Sequence, residues 1–368
     1  ARRQRQMCIR DRNCHWSKIQ NSKALELGTV DSKAMIATAR GAITQSAASV
    51  ITATSSNQNA LFTAQSSDGN TDYDITLENP SNDFTGFLKV VAANVSVRDT
   101  NAIKLKESTV SGNYALTAGD AVTDTTTPSE NLDIEGTTTI SASGSSVTLD
   151  LTTHDFTGAV AVVGANVLLV DANSIVLGTS NVSGTYTVTA TTGNITQNAA
   201  LTVTGTTTLT TSANDATITL NNTSNAFTGA MTITTNDASG TDADVTIDGG
   251  TTALNIGAST IDGDLTVTSG NASGIIDSGN VTVGGNLIAT TDANNGVIDL
   301  GTTTVTGTMD LTSHGSGNVT IDNANTDIVL IASEIGGNLT LTTGNASGII
   351  DSGNVTVGGN LIATTDAN

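Results

Sequence analysis

Residues 270–294 (GNASGIIDSGNVTVGGNLIATTDAN) recur without change at 344–368, a shift of 74. A direct repeat of this size points to an architecture of stacked units, because each copy must bury its apolar face against a neighbour of the same shape. Upstream, Phe84-Thr85-Gly86, Phe156-Thr157-Gly158 and Phe227-Thr228-Gly229 are spaced by 72 and 71, and VSGNYALTA from Val110 matches VSGTYTVTA from Val182 at 72. Inside these units runs a nine-residue pattern: an aliphatic residue, any residue, Gly, three variable residues, an aliphatic or Ala, then two small residues. It starts at Val110, Ile134, Val182, Val203, Ile261, Val283, Val305, Ile335 and Val357. Most steps between starts are one or two lengths of about 22 residues, the size of one β-solenoid turn.

The local pattern says how a turn is built. In Leu201-Thr202-Val203-Thr204 and Leu265-Thr266-Val267-Thr268, aliphatic residues alternate with Thr, which places apolar side chains inward and hydroxyls outward. Gly205, Gly263, Gly285, Gly307, Gly337 and Gly359 follow the inward residue by two, where a bend or bulge needs a residue without Cβ. Asn221-Asn222 and Asp292-Ala293-Asn294 read as corners. Aromatics are only 2% of the chain, so the core must be assembled from many small Val, Ile, Leu and Ala contacts.

These features predict an all-β fold, a right-handed parallel β-helix (β-solenoid) of about 22-residue rungs over residues 41–368. Roughly 13 to 15 rungs at about 4.8 Å each make a rod of about 60–75 Å. The repeat region is read as truncated within a repeat, residues 24–40 as an irregular lead-in, and residues 1–23 as a non-native or disordered segment. A string of immunoglobulin-like sandwiches of about 72 residues is the all-β alternative. It is disfavoured by the shorter sub-period and by the absence of a core Trp.

Residues 1–23 form a separate compositional regime, with seven of the 13 basic residues, both cysteines (Cys8 and Cys14), the single Trp and His15. The run from Gln6 to Arg12 resembles translated sequencing-adapter sequence. No apolar run or small-residue cleavage pattern of a targeting segment follows it. Cys8, Cys14 and His15 make an incomplete metal set. No stretch reaches the ~18 apolar residues of a membrane helix.

Charge narrows the partners. The net charge is −21, Lys106 is the last basic residue, and Glu107 to Asn368 holds 25 Asp and Glu against no Lys or Arg. That region repels phosphates, so nucleic acid is not expected as a partner, and its cohesion must come from burial and backbone ladders.

The strings GGNLTLTTG, VSGTYTVTATTGNITQNAALTVTGTTTLT and NNTSNAFTGAMTITT, over roughly residues 40–368, resemble the repeat regions of giant filamentous-haemagglutinin-like and autotransporter-like bacterial exoproteins. The resemblance implies a right-handed parallel β-helix shaft, extracellular or on the outer cell surface. It implies no catalytic residues. Because every feature repeats, whereas a catalytic site is a single converging constellation, a spacer or multivalent adhesive role is expected, with no cofactor and with glycans or other cell-surface molecules met by weak Thr and Asn contacts.

β-Helix polysaccharide lyases and hydrolases use basic residues or clustered carboxylates, and no basic residue follows Lys106. Ser313-His314-Gly315 is a lone echo of a His-Gly element, and His154-Asp155 stands where Asn82-Asp83 and Asn225-Ala226 stand in related units, which favours a corner role. Asp242 and Asp244 are a carboxylate pair without an aromatic sugar platform. Stacked Asp corners allow weak calcium binding, the basis of a surface-layer alternative, although the calcium nonapeptide is missing. Asn181, Asn194, Asn271, Asn280 and Asn354 head Asn-x-Ser/Thr strings that composition alone generates. The triplets Thr206-Thr207-Thr208, Asp264-Leu265-Thr266 and Asn286-Leu287-Ile288 differ, so a flat ice-binding Thr array is not expected. No catalytic, cofactor or metal residue is assigned.

Overall fold

The computed structural model describes residues 16–236, 238, 242–344 and 348–365, with backbone alone at 293–294. Among the described residues there is no helix, and every strand pairs its neighbours in parallel, which removes the antiparallel sandwich alternative. The described residues make about 15 turns, divided between the two units. The chain divides into two compact units, residues 1–171 and 172–368.

In the first unit, Val95–Asp99 pairs with Tyr114–Ala118, which pairs with Thr138–Ala142, which pairs with Val160–Gly164. A second sheet runs through Ser17–Asn21, Met35–Ala39, Asn59–Ala64 and Phe87–Ala92. Above Phe87–Ala92 this face is split, each rung contributing two short strands such as Ile103–Leu105 and Ser108–Val110. The second unit repeats the scheme: Val245, Leu265, Leu287 and Met309 are direct partners in successive rungs. The steps between them are 20, 22 and 22 residues, which is the expected rung. Val283 and Val305 are paired neighbours, as their shared pattern predicts.

The interior is made by alternation. Leu265–Ser269 alternates buried and half-buried residues, and Leu265, Leu287 and Met309 form an interior column no more than 1% exposed. Each such side chain contributes roughly 1.5–3 kcal/mol on burial. The aliphatic starts of the nine-residue pattern are columns too: Val110, Ile134 and Phe156 in the first unit, and Val182, Val203 and Phe227 in the second. In both, the third member is the Phe of Phe-Thr-Gly, and it ends the column. The backbone N–H of Phe84 donates to Asp99 Oδ2 (2.9 Å), and that of Phe156 to Asp171 Oδ2 (3.0 Å). A side-chain carboxylate thus replaces the missing ladder partner.

The corner glycines are required by contact between rungs rather than by a bend. Gly307 N–H donates to Gly285 O (2.9 Å), and a Cβ on Gly307 would lie 2.6 Å from that oxygen and 2.5 Å from Asn286 Oδ1. The next position carries the cap. Asp244 Oδ1 accepts the N–H of Asp264, Asp264 Oδ1 that of Asn286, and Asn286 Oδ1 that of Thr308, at 2.8, 2.6 and 2.8 Å. The first unit has the same ladder through Asp74, Asn94, Asn113 and Thr137. At most of these corners the position before the cap is small, as with Ala93, Gly112, Ala243, Gly263 and Gly285.

Three expectations need correction. The ladder begins at Ser17, not at 41, and residues 24–40 hold the strands Leu25–Leu27, Val30–Ser32 and Met35–Ala39. They fold regularly because Leu25, Leu27, Met35, Ala37 and Ala39 alternate inward despite the basic residues between and around them. Cys8, Cys14 and His15 lie outside the described residues. Asp292 to Asn294, read as a corner, continues the strand Leu287–Asn294 through a register shift, and the turn falls at Asn295, whose φ is 66°.

The repeat length has a further consequence. In the first copy of the 25-residue repeat, Val281–Val283 lies in the sheet of Ser259–Ile261 and Thr303–Val305, and Leu287–Asn294 lies in the opposite one with Thr308–His314. In the second copy Val355–Val357 pairs with Ser333–Ile335 in the latter sheet, and Leu361–Thr365 pairs with Leu339–Thr343 in the former. One repeat therefore spans seven half-turns, and identical sequences face opposite ways.

Two outcomes follow from this packing. Gly307→Ala should destabilise by about 1–3 kcal/mol, whereas Gly301→Ala, whose Cβ would meet nothing within 4 Å, should be neutral or stabilising by about 0.4–1 kcal/mol, as read from urea midpoints. Burial is the largest influence on Asp99 and pushes its carboxyl up to about 6, against backbone N–H bonds that lower it. Burial likewise raises Asp133 and Asp248. A folded-state value above the ordinary 3.8 favours the protonated form, so this contribution is full below pH 3.8 and is lost as pH rises through about 6. Denaturant melts from pH 4 to 7 should show stability falling, and Asp99→Asn should flatten the slope by on the order of 2 kcal/mol after allowance for screening.

Candidate functional site

The residues singled out for chemistry do not converge. His154 is fully buried; its Nδ1 accepts the N–H of Leu132 (2.9 Å), which assigns the ring proton to Nε2, 2.7 Å from Asp124 Oδ2. Asp124 Oδ2 also accepts the N–H groups of Asp150 and Leu151. At the corresponding place Asn82 and Gln45 exchange hydrogen bonds, with Asn82 Oδ1 accepting the N–H of Ile51. In the second unit Asn225 and Gln197 do the same, with the N–H of Leu201. The His–Asp pair thus substitutes for an Asn–Gln pair that ties buried backbone amides beneath the Phe-Thr-Gly corner. Both ring nitrogens are occupied by these bonds. Sequence inspection found the corner role but missed Asp124, which is 30 residues from His154.

Asp155 is in register with Asp133. His314 is exposed at the end of Thr308–His314, with Nδ1 against the carbonyl oxygen of Thr291, while Ser313 points inward and donates to Gly317 O. Asp242 is exposed, and Asp244 serves as a corner cap. Among the Asn-x-Ser/Thr strings, Asn194 Oδ1 accepts the N–H of Thr217, and Asn271 bridges Ser273 and the carbonyl of Thr251. Among the described residues no three His, Cys, Asp or Glu gather in a metal-binding group, and no helix is long and apolar enough to cross a membrane.

Two outward surfaces remain. In the second unit Thr189, Thr210, Thr234, Thr260, Thr282 and Thr304 are direct partners in six successive rungs, none of them buried. Thr187, Thr208 and Thr232 run beside the first three. Two of the triplets weighed from sequence sit in another row, where Thr246, Thr266, Ile288 and Asp310 do vary, while the third, Thr206-Thr207-Thr208, ends beside the long row. The long row escaped because its steps of 21, 24, 26, 22 and 22 cross from continuous to split strands.

In the first unit the outward, half-buried Phe87 is flanked by lysines, with Lys106 Nζ 5.3 Å and Lys104 Nζ 5.9 Å from the ring centroid. Lys106 pairs with Glu130 (2.7 Å), Lys89 with Glu107 (2.6 Å), and Lys104 makes no ion pair among the described residues. Beside it opens a groove of about 350 Å³, lined by Thr85, Asn101, Lys104, Asp120 and Thr123 over Ile103. Asn101 Nδ2 donates to Asp83 Oδ1 (3.2 Å), while its Oδ1 is buried without a hydrogen-bond partner.

No curated protein and no solved structure matches the chain. The model of a family described as repeats of unknown function (DUF5649) matches five consecutive segments, 17–91, 92–163, 164–234, 242–300 and 316–368. The first match starts where the ladder starts, and three of the boundaries follow the 72-residue unit. With most of its length matched, this β-solenoid belongs to the DUF5649 repeat family.

Proposed function

We propose that this chain is a shaft segment of a secreted or cell-surface bacterial protein, acting as a spacer and as a multivalent, low-affinity binding surface for neutral glycans. The carrying observation is the six-rung Thr row. Hydroxyls spaced about 4.8 Å apart along a β-sheet offer the same weak contact at each rung, and such contacts sum to avidity along an extended polymer. The purely acidic charge after Lys106 favours uncharged ligands there and opposes self-association. A non-catalytic role is supported by the use of His154 and Asp124 in backbone capping and by the separation of His314 from Asp242 and Asp244. On this reading no cofactor is needed, and neither calcium nor nucleic acid takes part.

The test is ligand length. Affinity for a neutral β-glucan series should rise steeply with chain length and be undetectable for the monosaccharide. The triple variant Thr210→Val, Thr234→Val, Thr260→Val should weaken polymer binding at least fivefold while leaving the melting temperature within a few degrees, since Val keeps the β-branched shape. Equal affinity for monomer and polymer, or release of new reducing ends by the purified chain, would contradict the proposal.

A further inference from the structure

The groove beside Phe87 differs from the Thr row in bringing a cation, a carboxylate and an amide together. Of the six basic residues after Lys23, three (Lys89, Lys104 and Lys106) surround Phe87. Two of those charges are neutralised by Glu107 and Glu130, which leaves Lys104 as the free cation at the groove. Its ammonium rests by the Phe87 ring, an attraction that restrains a long side chain near the groove before any ligand arrives. The rest of the lining supplies acceptors. Asp120 is a carboxylate, and Asn101 carries an unpartnered Oδ1 held in place only through the 3.2 Å bond from its own Nδ2 to Asp83, so a modest rotation turns an acceptor toward the groove.

One free cation beside a carboxylate, an amide oxygen and two threonine hydroxyls suits a ligand with one anionic group and several hydroxyls. We infer that this groove binds a uronate-type sugar unit, with its carboxylate on Lys104 and its hydroxyls donating to Asp120 and Asn101. A volume of about 350 Å³ lies at the low end of small-molecule sites and suits about one or two sugar rings. A densely sulfated sugar fits less well, because Asp120 repels the second and third charges while a single Lys balances only the first. The inference shares the glycan ligand class with the proposed function but rests on different residues, in the other unit.

The experiment is calorimetric titration of the full chain with a galacturonate trimer, its methyl-esterified form, and a heparin-derived sulfated tetrasaccharide. The galacturonate trimer should bind saturably, the ester at least tenfold more weakly, and the sulfated probe more weakly than the trimer. Lys104→Met should cost at least tenfold in trimer affinity and Asn101→Ala a smaller, measurable loss, whereas the charge-matched control Lys33→Met should have no effect. Equal weakening by Lys104→Met and Lys33→Met would mean diffuse attraction and overturn the groove. Tighter binding of the sulfated probe, or no trimer binding by a chain that still binds neutral polymer, would overturn it while leaving the Thr-row reading standing.

Discussion

Everything in this molecule depends on the parallel backbone ladder between successive rungs. A strand in a solenoid has no partner within its own turn, so its N–H and C=O groups must find the rung below and the rung above at the same register, turn after turn. That condition fixes the rung near 22 residues and forces the corners to nest. It explains why Gly307 lies against Gly285 with no room for a Cβ, and why Asp264 and Asn286 follow glycines in the capping row. With no Lys or Arg after Lys106, cohesion beyond Glu130 has no Lys or Arg ion pair to draw on and comes from this ladder and the aliphatic columns it aligns.

The half-turn offset is a second constraint with functional weight. Because a repeat covers seven half-turns, the same residues meet opposite sides in successive copies, as the two copies of GNASGIIDSGNVTVGGNLIATTDAN do. A surface built from one repeat therefore recurs on the same side only at every second copy. Continuous rows such as Thr189 to Thr304 arise instead because many outward positions are Thr, whichever repeat supplies them. A binding surface made this way tolerates irregular sequence, which suits weak, repeated contact better than a single converging site.

Much of the fold was legible in the sequence because its signals are local. The Leu-Thr-Val-Thr alternation gives the strand faces, and the shared pattern at Val283 and Val305 gives their stacking. What escaped depends on position along the stack. The early start at Ser17 was hidden by the basic residues around it, although a strand carries Lys18 on its outward face. The sheet exchange needs counting in half-turns, and the Thr row needs register across steps of 21 to 26 residues. His154 illustrates the same limit: its corner role was readable from Asn82 and Asn225, but its partner Asp124 became visible only when the rungs were stacked. The groove was invisible because nothing near Lys104 in sequence marks it as the lysine without a carboxylate partner.

The most direct test of the central claim is disulfide trapping in a chain whose Cys8 and Cys14 are replaced by Ser. The structure pairs Thr282 with Thr304 in adjacent rungs of one sheet and places Thr356, the position identical to Thr282 in the second copy, in the other sheet. Adjacent-rung positions, about 4.8 Å apart, satisfy disulfide geometry. Thr282→Cys with Thr304→Cys should therefore oxidise to an intramolecular bridge in high yield, and Thr282→Cys with Thr356→Cys should not. A bridge between 282 and 356 with none between 282 and 304 would contradict the account.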